Sequence, residues 1–293
     1  MRSRGIILSS LIYTLLIFFL MLIASILLVL WHRQNILNKT KENANEMFEG
    51  FHDSIPKNIN ELPEPSPVLY ALNFAQNDYI DVPNNIGIFA GNQNFTIEFW
   101  TIANTIPDPS YTEWPAAPAI MNFRGERSVI ITFADSNPGD VLSLRLEDSG
   151  GWYTPISSNP LQTGITYHIA ITYNTSSGFV LYVDGIQVDS DSHIPSIQTA
   201  FYNNEIGRAH DPWVTNRGYD GLVDEVRIWN VTRTQEEIQN YKNYRLQGNE
   251  TGLLLYYSMN EGTGTTITDN SVNNRHGQLY GGDWVSEFVV FYE

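Results

Sequence analysis

From Pro67 onward the chain breaks into short segments in which apolar and polar residues alternate, each closed by turn-forming residues. A period of two sends successive side chains to opposite faces of a strand, and turns at such short intervals leave little room for helices. Strands are expected at 68–74, 79–83, 95–104, 117–123, 128–134, 140–147, 152–157, 165–174, 178–184, 199–206, 221–229, 253–260 and 277–280. Such a series buries its apolar faces by stacking two antiparallel sheets, so the fold class is all-β, an antiparallel β-sandwich or jelly roll. Asp184-Gly185, between Val180-Leu-Tyr-Val183 and Ile186-Gln-Val188, is the strongest hairpin signal. One helix is expected where Thr234-Gln-Glu-Glu237 forms a capping box, with Ile238 and Tyr241 facing one side.

The N-terminus is of another kind. Residues 6–31 are apolar and uncharged. At ~1.5 Å per residue that is enough for a transmembrane helix, and Trp31 at its end suits an interface. A cleaved signal would be shorter and followed by a small-residue site, so an uncleaved single-span anchor is expected. The organisation read here is a short basic N-terminus at 1–5, a transmembrane helix at 6–31, a helical stalk and Pro-rich linker at 32–66, and one domain at 67–293. The stalk follows from Ile36, Leu37, Ala44, Met47, Phe48 and Phe51, spaced by threes and fours. Basic residues flank the run on both sides (Arg2 and Arg4, then Arg33, Lys39 and Lys41), so charge alone does not orient it. Arg4-Gly5-Ile6 also resembles the prepilin-peptidase site of archaeal type IV pilin-like proteins. That resemblance implies an alternative, a helix released after Gly5 that self-assembles into a surface filament.

A net charge of −16 and the lack of a basic stripe argue against nucleic acid as a partner. With no cysteine, disulfides, thiol catalysis and Cys-ligated zinc are excluded.

Within residues 219–232, Leu222, Asp224, Val226 and Ile228 are expected on one strand face, and Val223, Glu225, Arg227 and Trp229 on the other. An acid within such an apolar run must be hydrogen-bonded, paired or bound to a cation. This stretch, with Leu72–Pro83, Phe95–Trp100, Tyr167–Tyr173, Leu181–Gly185, Asn204–Gly207 and Leu253–Gly262, occurs in the order of a known family. The domain resembles a LamG-like (laminin G, concanavalin A-like lectin/glucanase) jelly roll over most of 68–285. Together with the apolar run 6–31, the resemblance implies a non-catalytic, membrane-anchored extracellular module that recognises carbohydrate or a surface protein. It also implies a structural calcium held by Asp224, with Asp78, Asp269 and Asn273 in segments the fold could bring near. The residue-level alternative is that Asp224 accepts backbone N–H groups or pairs with Arg227. The chain departs from the family at Ala75-Gln76, where Asp-Gly is usual, and at Thr166, where Trp is usual. A pentraxin-type calcium bridge is not expected, since within Ile206–Asp211 only Asp211 is a strong oxygen ligand.

For ligand contact the candidates are rings in turn-rich segments: Tyr111 and Trp114, Trp152 and Tyr153, and Trp213. Flat rings stack on sugar faces, though rings also cap the ends of a sandwich. Glu98, Trp100 and His168 form a second candidate group on one sheet face. Glycoside hydrolysis would need two carboxylates at set separation, and the paired spacing of the laminarinase-like relatives is missing, so no catalytic residue is assigned.

Overall fold

In the computed structural model, residues 69–84, 93–105, 119–125, 128–134, 141–148, 151–195, 201–209 and 218–286 are described. The apolar run 6–31, the stalk, Tyr111, Trp114 and Trp213 lie outside them. Among the described residues no helix is long and apolar enough to cross a membrane.

The described residues form two eight-stranded antiparallel sheets. Sheet one runs in the order β10 (Ile186–Asp191), β9 (Gly178–Val183), β8 (Thr166–Asn174), β3 (Phe95–Ala103), β12 (Gly221–Trp229), β1 (Tyr70–Phe74) and β16 (Asp283–Ser286), with β13 (Leu253–Tyr257) also paired to β12. Sheet two runs β14 (Thr266–Ile267), β15 (Gly277–Tyr280), β2 (Tyr79–Val82), β11 (Phe201–Ile206), β4 (Ala119–Gly125), β5 (Ser128–Ala134), β6 (Val141–Asp148) and β7 (Gly151–Ser157). Each expected strand is found. The short arms β14 and β16 were not legible as alternating segments, because two to four residues carry too little pattern.

The core lies between the sheets. Phe95, Ile97 and Phe99 of β3 meet Met121 and Phe123 of β4 and Leu142, Leu144 and Leu146 of β6 in one cluster. Each such side chain contributes about 1.5–3 kcal/mol by leaving water. Alternation then sends Thr96, Glu98 and Trp100 to the outer face of sheet one, yet these are buried too. The cover is helix α1 (Gln235–Tyr241), opened by the expected capping box: Thr234 Oγ1 accepts from Glu237 N, and Glu237 accepts from the N–H of Thr234. Ile238 seats the helix against Ala170 and Tyr182. Tyr241 does not share that face; it stands 51% exposed.

The Asp184-Gly185 hairpin is confirmed, with φ of 54° and 80°. A two-residue turn that follows the strand twist needs positive φ at both positions. Asp184 Oδ1 also accepts from the N–H of His168.

The expected alternation of β12 fails at one place. Between the pairs Asp224↔Trp100 and Arg227↔Glu98, β12 carries one residue more than β3. This bulge puts Val223 and Val226 both into the core, with Glu225 at φ 52°. It falls where β12 exchanges its pairing with β1 for pairing with β13. Asp224 Oδ1 accepts from the N–H of Glu225, tying the bulge, while Arg227 pairs with Glu225 at 2.6 Å rather than with Asp224.

Candidate functional site

Glu98, His168 and Trp100 are brought together, but under the helix. Trp100 pairs with His168 across β3 and β8. Glu98 is 0% and His168 1% exposed. Glu98 Oε1 accepts from Arg233 Nη1 at 3.1 Å, and Oε2 lies 3.5 Å from His168 Nε2. Burial pushes the Glu98 carboxyl up, but the His168 hydrogen bond and the Arg233 charge outweigh it and hold it below its ordinary value. Burial likewise keeps His168 low, so at neutral pH an ionised Glu98 faces a neutral imidazole and a charged Arg233. Arg233 enters with the strap before α1, its N–H bonded to Thr96 Oγ1, and Trp100 Nε1 donates to Lys242 O behind the helix. The group fastens the helix to sheet one. Beside it, Glu225 binds Arg227, Arg245 and the Tyr256 hydroxyl, a second buried network that alternation alone does not reveal.

The four residues associated with calcium do not converge. Asp78 closes the β1–β2 turn by accepting from Ala75 N. Asp269 accepts four donors of its surroundings: Tyr256 N and Ser271 N on Oδ1, Ser271 Oγ and Arg275 N on Oδ2. A carboxylate offers about four lone-pair sites, so this one is filled without a metal. Asn273 spends its amide N–H groups on Leu253 O and Leu254 O. Asp78 and Asp269 stand toward opposite ends of β15, since Asp78 adjoins Gly281 and Asp269 N donates to His276. Among the described residues no group of three or more His, Cys, Asp or Glu could hold a metal ion. As a set these four do not fit one calcium site.

Tyr111 and Trp114 fall in the connection leading into β4, and Trp213 in the one leaving β11. Ile206 pairs with Met121, so both connections join sheet two at the same end. Trp152 and Tyr153 start β7 beyond the β6–β7 turn, at the other end. Tyr153 packs on His193 at 4.5 Å, and burial followed by its hydrogen bond to Asp191 pushes the phenol up to about 12.

The outer face of sheet two carries what pattern reading did not single out. Register places Gln278, Asp81, Glu205, Asn122, Ile130 and Arg145 in one row across β15, β2, β11, β4, β5 and β6. At about 4.8 Å per strand the row is about 24 Å long. Alternation keeps these side chains off the core, since their neighbours Ile80, Ile206, Met121, Ile131 and Leu144 fill it. Asn122 is 1% exposed, and neither its Nδ2 nor its Oδ1 has a hydrogen-bond partner. Glu205 Oε2, on the strand next to Asn122, and Ser143 Oγ, two residues before Arg145 on β6, are equally buried and unpartnered. Each such atom costs about 1–3 kcal/mol, so a cluster of them is kept only against a gain elsewhere.

The rest of the face is well fixed. Arg208 donates to Glu205 Oε1 through Nη2 at 2.9 Å and Nε at 3.2 Å. Its guanidinium lies 3.3 Å from the Tyr79 ring centroid, and Tyr79 stacks on Tyr280 at 4.7 Å and 10°. Tyr280 remains 47% exposed. Gly207 lets β11 end beside this group: at φ 99° it admits no side chain, because a Cβ would lie 2.7 Å from the Phe74 ring and from Asp78 O. Ala119, Ile130 and Ala209 form a small apolar patch beside Asn122. Burial pulls the Arg145 guanidinium down from its ordinary value. A signal for this site existed in the sequence, since Asn122, Ser143 and Glu205 interrupt apolar strands on the side facing away from the core.

A model of the concanavalin A-like lectin/glucanases superfamily matches residues 74–239, more than half of the chain. No curated protein matches. Among solved structures, a candidate carbohydrate-binding protein from Bacteroides ovatus superposes with a TM-score of 0.58 at 24% identity, over 78% of this chain and 62% of that one. The chain thus spans less than two thirds of that protein's length. The heptameric SAP-like pentraxin of Limulus polyphemus gives 0.45 at 11% identity, over 60% and 82% of the two chains. The CBM40 of Ruminococcus gnavus IT-sialidase, in complex with α2,3-sialyllactose, gives 0.43 at 11%, over 60% and 98%. Likenesses at this identity concern the fold.

Proposed function

Since the chain belongs to the concanavalin A-like lectin/glucanases superfamily, we propose that residues 67–293 are a non-catalytic binding module that takes a saccharide along the outer face of sheet two. The observation that carries this is the cross-strand pair Asn122 and Glu205, whose buried Nδ2, Oδ1 and Oε2 atoms have no partner. A glycan hydroxyl both donates and accepts, which is what an amide and a carboxylate oxygen side by side require. Arg208, held by Tyr79 and Glu205, needs no reordering on binding, and the exposed Tyr280 ring offers a stacking face. Tyr111, Trp114 and Trp213 are proposed as further stacking residues. The apolar run 6–31 is proposed to anchor the module in a membrane with the domain outside the cell.

A glycan array probed with the full chain tests the main claim. At least one specific oligosaccharide hit that Asn122→Ala and Glu205→Gln both abolish is expected; a wild-type protein with no hits, or variants that keep every hit, would overturn it. Alkaline carbonate extraction with surface proteolysis tests the anchor, with an extraction-resistant chain cut from outside expected. A mature N-terminus at Ile6 would instead support the filament alternative.

One observation raises hydrolysis as a second reading: Asp81 and Glu205 are direct cross-strand neighbours. A glycoside hydrolase needs two carboxylates free to flank the scissile bond. Glu205 is tied to a guanidinium, and Asp81 is open to solvent. No release of reducing ends from array-positive glycans is therefore expected; release that Asp81→Asn removes would reverse this.

A further inference from the structure

On the other side of the domain, against the outer face of sheet one, a groove of about 440 Å³ opens between α1 and the loop that follows it. Its walls include Trp229, Arg233, Tyr241, Tyr244, Arg245 and Gln247. The volume lies in the ~300–1,000 Å³ range of small-molecule sites. Tyr241 and Tyr244 are 51% and 43% exposed although both are large rings, and their centroids lie 6.3 Å apart at 61°. Trp229 is 4% exposed, and its indole N–H has no acceptor. A buried donor of this kind, in the wall of a groove lined by open aromatic rings, asks for an acceptor from a ligand.

The charges narrow the ligand. Arg233 gives Nη1 to Glu98 and lies 4.3 Å from the Trp229 ring centroid, so one indole face is taken. Arg245 gives Nη1 to Glu225. Glu237 caps α1, and Glu250 closes its own loop by accepting from Gln247 N and Gly248 N. Each wall cation is thus matched by a carboxylate beneath it. A ligand carboxylate would gain little here and would meet Glu237 and Glu250. A neutral ring with hydroxyls fits better, its C–H face on Tyr241 or Tyr244 and a hydroxyl oxygen accepting from Trp229.

We propose that this groove is a second saccharide site, for one or two neutral pyranose rings, on the opposite sheet from the site above and independent of it. Two sites facing apart would let one module bridge two glycan chains, with avidity set by their spacing.

The test is an indole N–H correlation spectrum of the ¹⁵N-tryptophan-labelled full chain, in phosphocholine micelles so that no glycoside detergent competes. The Trp229 peak is identified by its loss in Trp229→Phe. Methyl β-galactoside, methyl β-glucoside, methyl α-mannoside and N-acetylneuraminic acid are titrated as probes. A saturable shift of that peak with at least one neutral glycoside and none with N-acetylneuraminic acid is expected, weakened about tenfold in Tyr241→Ala or Tyr244→Ala and unchanged in Asn122→Ala. No shift with any neutral probe, or a shift indifferent to both tyrosine variants, would overturn the proposal. Array binding that is lost in Asn122→Ala and kept in both tyrosine variants, with the Trp229 peak unmoved, would leave sheet two as the binding face and remove this one.

Discussion

Asn122→Leu should make this protein more stable while removing ligand binding at the outer face of sheet two. The wild-type amide is 1% exposed with both polar atoms unpartnered. At about 1–3 kcal/mol per unsatisfied atom, the native state carries a penalty that leucine does not. Leucine keeps the branched shape, and its larger methyl groups lie beside Ile130 and the small Ala119 and Ala209. Allowing for some overpacking, a net gain of about 1–2 kcal/mol is expected. For a domain of this size that raises Tm by about 2–4 °C per kcal/mol. Thermal melts of the full chain in micelles, followed by circular dichroism, measure it. Asn122→Asp is the control: it sets a carboxylate next to Glu205 without a cation and should cost at least ~2 kcal/mol. A leucine variant that melts below wild type, with the aspartate variant unaffected, would mean that the amide is satisfied and that the case for the face is wrong.

His168 and Glu98 both titrate below their ordinary values in the folded state, so the unfolded chain binds more protons as pH falls and stability falls with it. The histidine part is complete above its unfolded value of 6.5 and is lost progressively below it; the glutamate part begins to go below 4.5. Urea unfolding across pH 7 to 4 should therefore show a loss starting near pH 6.5 that His168→Gln flattens, leaving the acidic limb; a limb that starts near 6.5 in the variant as well would contradict the buried neutral imidazole. Asp269→Ala strips four donors of their acceptor and should cost at least ~3 kcal/mol, equally with calcium and with chelator. A cost present only with calcium would restore a metal role to that carboxylate.

Local chemistry was legible in the sequence wherever one or two residues decide the geometry. Asp184-Gly185 and the Thr234–Glu237 box are of this kind, and so is the alternation of β3. Sharing of a face by Glu98, Trp100 and His168 was legible too. Their burial was not, because it depends on where α1 lands, and Ile238 rather than the spacing of Tyr241 decides that. The bulge at Asp224–Glu225 was hidden because one inserted residue leaves the composition of an apolar strand unchanged while reversing which face each side chain takes. Asn122, Ser143 and Glu205 read singly as ordinary polar positions on an outer face. Only strand register shows Asn122 and Glu205 to be neighbours, and only the folded packing shows all three to be buried without partners.

The most direct measurement is the side-chain amide signal of Asn122 in a ¹⁵N correlation spectrum of the full chain, titrated with an array-positive oligosaccharide. The Nδ2 protons should shift saturably with the same Kd as the array ligand, and Glu205→Gln should weaken both together. An Asn122 amide that stays in place while the glycan binds would place the ligand elsewhere and contradict the assignment of the outer face of sheet two.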